Sequence, residues 1–162
     1  MKKALGLICF CLACSCVLFG QANNEDLYNA VLKKDKATIY KLLTVDHANA
    51  SYVRSVSRYQ KTSVLLAAVK TGDSEIVRML VDRSAEIEWK DALGRTALMY
   101  AVAANKMNIV LLLLDMGANV NANDGKGYTV LTAAKESGDA DMLTLIEDKV
   151  EELKKKAEDE KK

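Results

Sequence analysis

Four cysteines are the residues of this chain best suited to chemistry, and all lie near its N-terminus, at Cys9, Cys11, Cys14 and Cys16. Cys11 and Cys14 have the Cys-x-x-Cys spacing of many metal and redox sites. Such a site needs a folded context, whereas these cysteines lie within an apolar run. The apolar surroundings of the cysteines therefore favour a targeting segment, and we predict no metal site.

The rest of the chain offers little to catalysis. Its one histidine, His47, directly follows Asp46, but neighbours in sequence do not by themselves form a dyad, and a solvated loop residue is the better interpretation. Gly125-Lys126-Gly127 is a faint match to a phosphate-binding turn and fits a repeat turn better. We predict a protein that is not an enzyme, has no catalytic residues and carries no cofactor.

The N-terminus has the pattern of an export signal. Lys2 and Lys3 precede an apolar run from Ala4 to Phe19, and Gly20-Gln21-Ala22 then places small residues where a signal peptidase reads. We predict that residues 1–22 are a signal peptide and that the protein is exported, to the periplasm or beyond the cell. Cleavage after Ala22 would leave a mature chain without thiols, which suits an oxidising compartment.

Two alternatives remain open for this segment. Leu12-Ala13-Cys14 resembles a lipobox, so that Cys14 or Cys16 would carry a lipid and anchor the protein at the membrane, although Cys11 stands where that box prefers Leu. A retained transmembrane anchor is the other alternative, but the run of 16 residues is shorter than the ~20 that span a bilayer.

Composition indicates one small domain and gives no sign of nucleic-acid binding. Half of the 162 residues are apolar, and the net charge is +1. Removal of residues 1–22 takes away two lysines and leaves 21 basic against 22 acidic groups, a net charge of −1. Proteins that bind nucleic acid normally carry a basic excess on one face, so we predict no such partner.

The chain repeats itself every 33 residues. Ser63–Ala68, Thr96–Ala101 and Thr129–Ala134 align without a gap, each with a hydroxyl, a Leu and a closing Ala in register. This period is typical of a solenoid, whose units bury their apolar faces only by stacking on each other. Solenoids usually act as binding surfaces rather than as catalysts.

Each unit contains two stretches of helical periodicity and a turn-rich segment. In the third unit the stretches are Thr96–Ala104 and Met107–Asp115. The hydroxyl that starts each first stretch can cap a helix, and Gly117 stands where a left-handed residue ends the second helix. Residues 117–125 are then predicted to form an extended finger closed by turn residues.

The third unit resembles the ankyrin repeat: Asp91 to Leu98 matches its opening motif, Ile109 to Leu114 its second helix, and Gly117 to Ala122 its closing run. The resemblance implies an all-α solenoid of about four helix-turn-helix units with hairpin fingers. We place the units near 24–57, 58–90, 91–123 and 124–150, followed by a charged helical tail at 151–162. The first connection is about five residues longer than the repeat allows.

The resemblance also implies the function. Ankyrin arrays hold another protein on a concave face made of fingers and first helices. The positions carried over are Tyr59, Gln60, Thr62, Trp89, Lys90, Leu93, Arg95, Asn123, Lys126 and Tyr128. Large aromatic residues and Arg dominate interface energetics, so Trp89 and Arg95 are expected near a hot spot, with packing over the neighbouring finger as the alternative for Trp89. We expect a monomer that binds a protein partner; an accessory or inhibitory partner of an exported enzyme is the second hypothesis.

Overall fold

The computed structural model describes residues 23–57 and 60–159. The predicted signal segment, the candidate lipidation sites Cys14 and Cys16, and the candidate contact Tyr59 lie outside the described residues.

Helices come in pairs along the described chain, as the repeat predicts. Their bounds are residues 23–33 for α1, Lys36–Thr44 for α2, Val64–Thr71 for α3, Ser74–Val81 for α4, Ala97–Ala103 for α5, Met107–Asp115 for α6, Val130–Ser137 for α7 and Ala140–Asp159 for α8. The first helices α3, α5 and α7 pack on one another in sequence, and so do the second helices α2, α4 and α6. The helical solenoid implied by the sequence is confirmed.

Hydroxyl side chains start the first helix of three successive units. Ser63 Oγ accepts a hydrogen bond from the amide of Leu66 at 3.0 Å, and Thr96 and Thr129 make the equivalent bond three residues on. Each bond satisfies a backbone donor that the first turn leaves without a partner. The capping role predicted from the repeat is confirmed.

One residue in the turn after each first helix has the left-handed backbone conformation in all four described pairs, whatever its side chain. These residues are Lys34, Gly72, Asn105 and Gly138. Ser84 likewise keeps a positive φ of 64° where the next unit has Gly117. The turn within a helix pair therefore adopts this conformation with or without glycine. Lys34 and Asn105 adopt it there, and Ser84 after α4, although it strains an L side chain.

Polar contacts cross each junction between the described units near the turn within a helix pair. Lys36 forms an ion pair with Asp73 at 3.2 Å, and Asn105 Nδ2 donates to Asp139 at 2.8 Å. At the middle junction Lys106 stands where other units have an N-capping Asp. Its ammonium instead donates to the backbone carbonyls of Val69 and Lys70 at 2.8 and 2.9 Å, at the end of α3.

The first finger is the one β-hairpin of the described chain. Val53–Ser55 (β1) and Lys61–Ser63 (β2) form an antiparallel pair, with Val53 opposite Ser63. The first connection is longer than the later ones, and Lys61, which aligns with the turn residue Gly94, lies in a strand here. We call residues 53–63 the first finger, 90–95 the second finger and 123–129 the third finger.

The last helix, α8, is more than twice as long as the other second helices. Met142 and Ile146 are buried against α7, and the C-terminal half is exposed. Ion pairs within the helix, such as Lys156 with Glu152 at 2.7 Å, support this half locally. The predicted tail is thus a continuation of α8 as far as Asp159. Across residues 23–57 and 60–159, no helix combines the length and apolar character needed to cross a membrane.

Replacement of Leu98 by Ala should destabilise the array strongly. Leu98 lies on α5 and is 1% exposed, in a core that its unit shares with the neighbouring units. Its truncation would leave a cavity between α5 and those units. We expect a loss of ~2–5 kcal/mol in the free energy of unfolding, measured by denaturant titration. Leu111→Ala, at an exposed Leu of the same unit, is the matched control and should change stability little. Equal effects of the two substitutions would contradict the stacked core.

Candidate functional site

Two aspartates shape the tips of the second and third fingers in the same way. Asp91 Oδ1 accepts hydrogen bonds from the amides of Leu93 and Arg95 at 2.9 and 3.0 Å. Asp124, 33 residues on, accepts from the amides of Lys126 and Tyr128 at 2.7 and 2.9 Å. These bonds to backbone donors lower the pKa of Asp124. The repeated carboxylate fixes the turn and thereby the direction in which Leu93 is presented.

The second and third fingers pack directly against each other. Gly94 has a φ of 80°, and a Cβ built on it would lie 2.6 Å from the backbone oxygen of Asp124. Lys90 Nζ donates to the backbone oxygen of Asn123 at 2.7 Å. The guanidinium of Arg95 lies 4.1 Å from the centre of the Tyr128 ring, a cation–π contact between the fingers. The fingers are therefore a preformed surface and not independent loops.

A groove of about 530 Å³ lies between the first two fingers and the first helices of three units. Its lining residues are Tyr28, Leu32, Val56, Gln60, Lys61, Thr62, Leu66, Ala67, Lys70, Thr71, Asp91, Ala92, Leu93 and Tyr100. We call this the finger groove. It has the location that the sequence predicted for the contact face, where fingers meet first helices.

Three large apolar side chains line the finger groove while remaining exposed to solvent. Leu32 on α1 is 50% exposed, Val56 at the tip of the first finger 58%, and Leu93 at the tip of the second finger 53%. Single exposed apolar residues are ordinary on protein surfaces, but a group drawn from three elements around one groove is not. The arrangement leaves apolar surface for another molecule to cover.

The floor of the groove is polar and held rigidly. Tyr100 donates its phenolic hydrogen to Asp91 Oδ2 at 2.6 Å. Burial of the phenol is the larger cause, and the hydrogen bond to Asp91 the smaller one, of a rise in the pKa of Tyr100 to about 12. The ammonium of Lys70 lies 4.7 Å from the centre of the same ring. Asp91 thus joins the finger backbone to α5 and places Tyr100 under the ammonium.

The structure divides the contacts predicted from sequence into three groups. Gln60, Thr62 and Leu93 line the finger groove, although Thr62 is buried. Lys90, Asn123, Arg95 and Tyr128 make the contacts between fingers described above, and Lys126 is exposed at the tip of the third finger. Trp89 is half-buried and is not among the groove residues. Whether any of them touches a partner stays a prediction.

Five further residues that line the groove are not among the contacts predicted from the sequence. Tyr28, Leu32, Lys70 and Tyr100 lie on first helices, and Val56 lies in the longer first connection. In a helical repeat the exposed side of the first helix is spaced in sequence like its buried side, so single residues are hard to assign. The sequence does indicate that Leu32 is exposed, because the aligned position in the next unit is occupied by Lys70, a charged residue.

A second groove, of about 990 Å³, lies on the side of the second helices. Leu111 on α6 and Leu153 on α8 line it together with Arg78, Lys149 and Lys156. Glu152 lies among these cations and pairs with both lysines, and these two bonds lower its pKa to about 2. Lys149, Glu152 and Lys156 are thus paired with one another in this groove.

A family model described as ankyrin repeats (3 copies) matches residues 27–124, well over half of the chain. The chain belongs to the ankyrin repeat family. The match spans the first three helix pairs and the start of the third finger, and α7 and α8 extend the ankyrin array beyond it. Ankyrin repeats are in general modules for binding other proteins, and typically not enzymes. No curated protein matches the sequence significantly.

Metal chemistry has no candidate site in the part of the chain that the structure describes. There, no three His, Cys, Asp or Glu side chains lie close enough together to hold an ion. His47 is exposed, with a positive φ of 50°, in the connection after α2.

Substitution of Gly94 tests whether contact between fingers supports the groove. Gly94→Ala should cost more stability than Gly125→Ala, because both residues have a positive φ but only the first would meet backbone. We expect about 1 kcal/mol for Gly125→Ala and at least twice that for Gly94→Ala, measured by thermal unfolding. Equal losses would show that the two fingers do not touch.

Proposed function

We propose that this ankyrin domain holds another protein in the finger groove. The observation that carries the proposal is the convergence of Leu32, Val56 and Leu93, exposed and apolar, from α1 and two fingers onto one concavity. A partner that covers them removes apolar surface from water, the main favourable term in protein association.

The surroundings of these side chains fit a protein interface. Polar and charged groups, among them Gln60, Lys61 and Lys70, line the same groove, and aromatic side chains contribute Tyr28 and Tyr100. An apolar centre with a polar rim is the usual anatomy of such an interface. The fixed fingers support the proposal further, because preorganised contacts lose less conformational entropy on binding.

Charged substitutions in the groove should abolish capture of the partner. We expect Leu93→Asp and Val56→Asp each to weaken binding by ~2 kcal/mol or more, because a carboxylate would be buried against apolar surface. The matched controls are Leu111→Asp and Val45→Asp, which are 47% and 65% exposed and do not line the finger groove. The protein would be immobilised, its partner identified from extracts by mass spectrometry, and affinities measured by titration with that purified partner.

The controls decide the outcome. Full affinity of both groove variants, with circular dichroism spectra like that of the native protein, would exclude the finger groove as the binding site. Trp89→Ala and Arg95→Ala in the same assay test the hot spot predicted from the sequence. Should the captured protein be an enzyme whose activity the domain alters, the accessory or inhibitory hypothesis would gain support.

We propose further that the protein is exported, with residues 1–22 as its signal. The support is in the sequence: two lysines, an apolar run and small residues before position 23. Lipid attachment at Cys14 or Cys16 is the alternative form of the same proposal.

The mass of the protein isolated from its native cells should separate these forms. We expect the N-terminal peptide of the mature chain to begin at Asn23, because cleavage after Ala22 removes the whole segment. A diacylglyceryl mass increment on a peptide that begins at Cys14 or Cys16 would indicate the lipid anchor instead. An intact Met1 in a protein that fractionates with the cytoplasm would exclude export.

A further inference from the structure

The charges of the finger groove do not balance, and this indicates the chemistry of the partner. Its lining contains two cations, Lys61 and Lys70, and one anion, Asp91. Both lysines are exposed, and neither forms an ion pair within residues 23–57 and 60–159. The groove therefore presents positive charge next to apolar surface.

Asp91 forms no ion pair with either lysine, and its single charge is smaller than that of the two ammonium groups. Oδ1 accepts from two backbone amides, and Oδ2 accepts from the phenol of Tyr100. The nearby Arg54 differs from the lysines, since its guanidinium pairs with Glu25 at 3.2 Å. Arg54 is thus paired within the protein, whereas Lys61 and Lys70 are available to pair with a partner's carboxylates.

Lys70 is also held in position. Its ammonium lies over the Tyr100 ring, and that ring is fixed by Asp91, so the charge is placed over the floor of the groove before any partner arrives. A held ammonium loses less side-chain entropy when it pairs with a carboxylate than a free lysine does.

We propose that the finger groove recognises an acidic segment of its partner, one that places a large apolar side chain between Leu32, Val56 and Leu93 and carboxylates against Lys61 and Lys70. This inference rests on the proposed function and adds the partner's chemistry to it. Electrostatic complementarity of this kind sets specificity and association rate more than total affinity.

Selection from a library of random displayed peptides tests the inference with a defined probe. With the purified protein as bait, enriched peptides should carry more Asp and Glu than Lys and Arg, next to Leu, Ile, Phe or Met. The double variant Lys61→Met, Lys70→Met keeps the apolar stems and removes both charges. It should bind the best acidic peptide about tenfold more weakly, the effect of two partly exposed pairs.

The salt dependence of binding and a control variant distinguish a loss of charge pairing from a general loss of folding. The affinity of the native protein for the acidic peptide should fall as ionic strength rises, and the double variant should lose most of that dependence. Lys41→Met, Lys154→Met removes two exposed lysines that do not line the groove, and it should behave like the native protein.

The possible failures are distinguishable. Enriched peptides that are neutral or basic, or an unchanged affinity in the Lys61, Lys70 double variant, would overturn the inference while Leu93→Asp still abolished binding. Peptides whose binding survives Leu93→Asp would contradict the proposed groove itself, and so would the absence of any enriched sequence.

Discussion

Close stacking of the first helices is the interaction on which the rest of this structure depends. Ala68, Ala101 and Ala134 are fully buried where α3, α5 and α7 pack in sequence, and a larger side chain there would push the units apart. No helix pair encloses its own apolar side chains, so each unit owes its core to its neighbours. The spacing set by these alanines also sets the spacing of the fingers, and hence the width of the groove.

The array keeps its backbone geometry through substitutions that change its chemistry. A left-handed residue follows every first helix that the structure describes, although Lys34 and Asn105 stand where two units have glycine. Lys106 replaces a capping Asp and holds the end of α3 instead, and desolvation lowers its pKa. Polar contacts cross the junctions between units near these turns. They link neighbouring units as well as closing helices.

The two grooves of this domain differ in how their charges are used. On the second-helix side, Lys149 and Lys156 both form ion pairs with Glu152. In the finger groove, Lys61 and Lys70 have no acidic partner among the described residues, while three apolar side chains are exposed beside them. Unsatisfied charge next to exposed apolar surface is what a binding site presents before its partner arrives.

The sequence alone determined the repeat period, the helix pairs, their capping hydroxyls and the left-handed role of Gly117. These follow from local rules of spacing, capping and backbone freedom, which act within about one turn of chain. Only the tertiary structure decided which exposed residues share a groove. Leu32, Val56 and Leu93 are remote in sequence, and Arg95 proved to pack on Tyr128 of the next finger. Local periodicity sets the face on which a side chain lies, whereas stacking between units sets its neighbours.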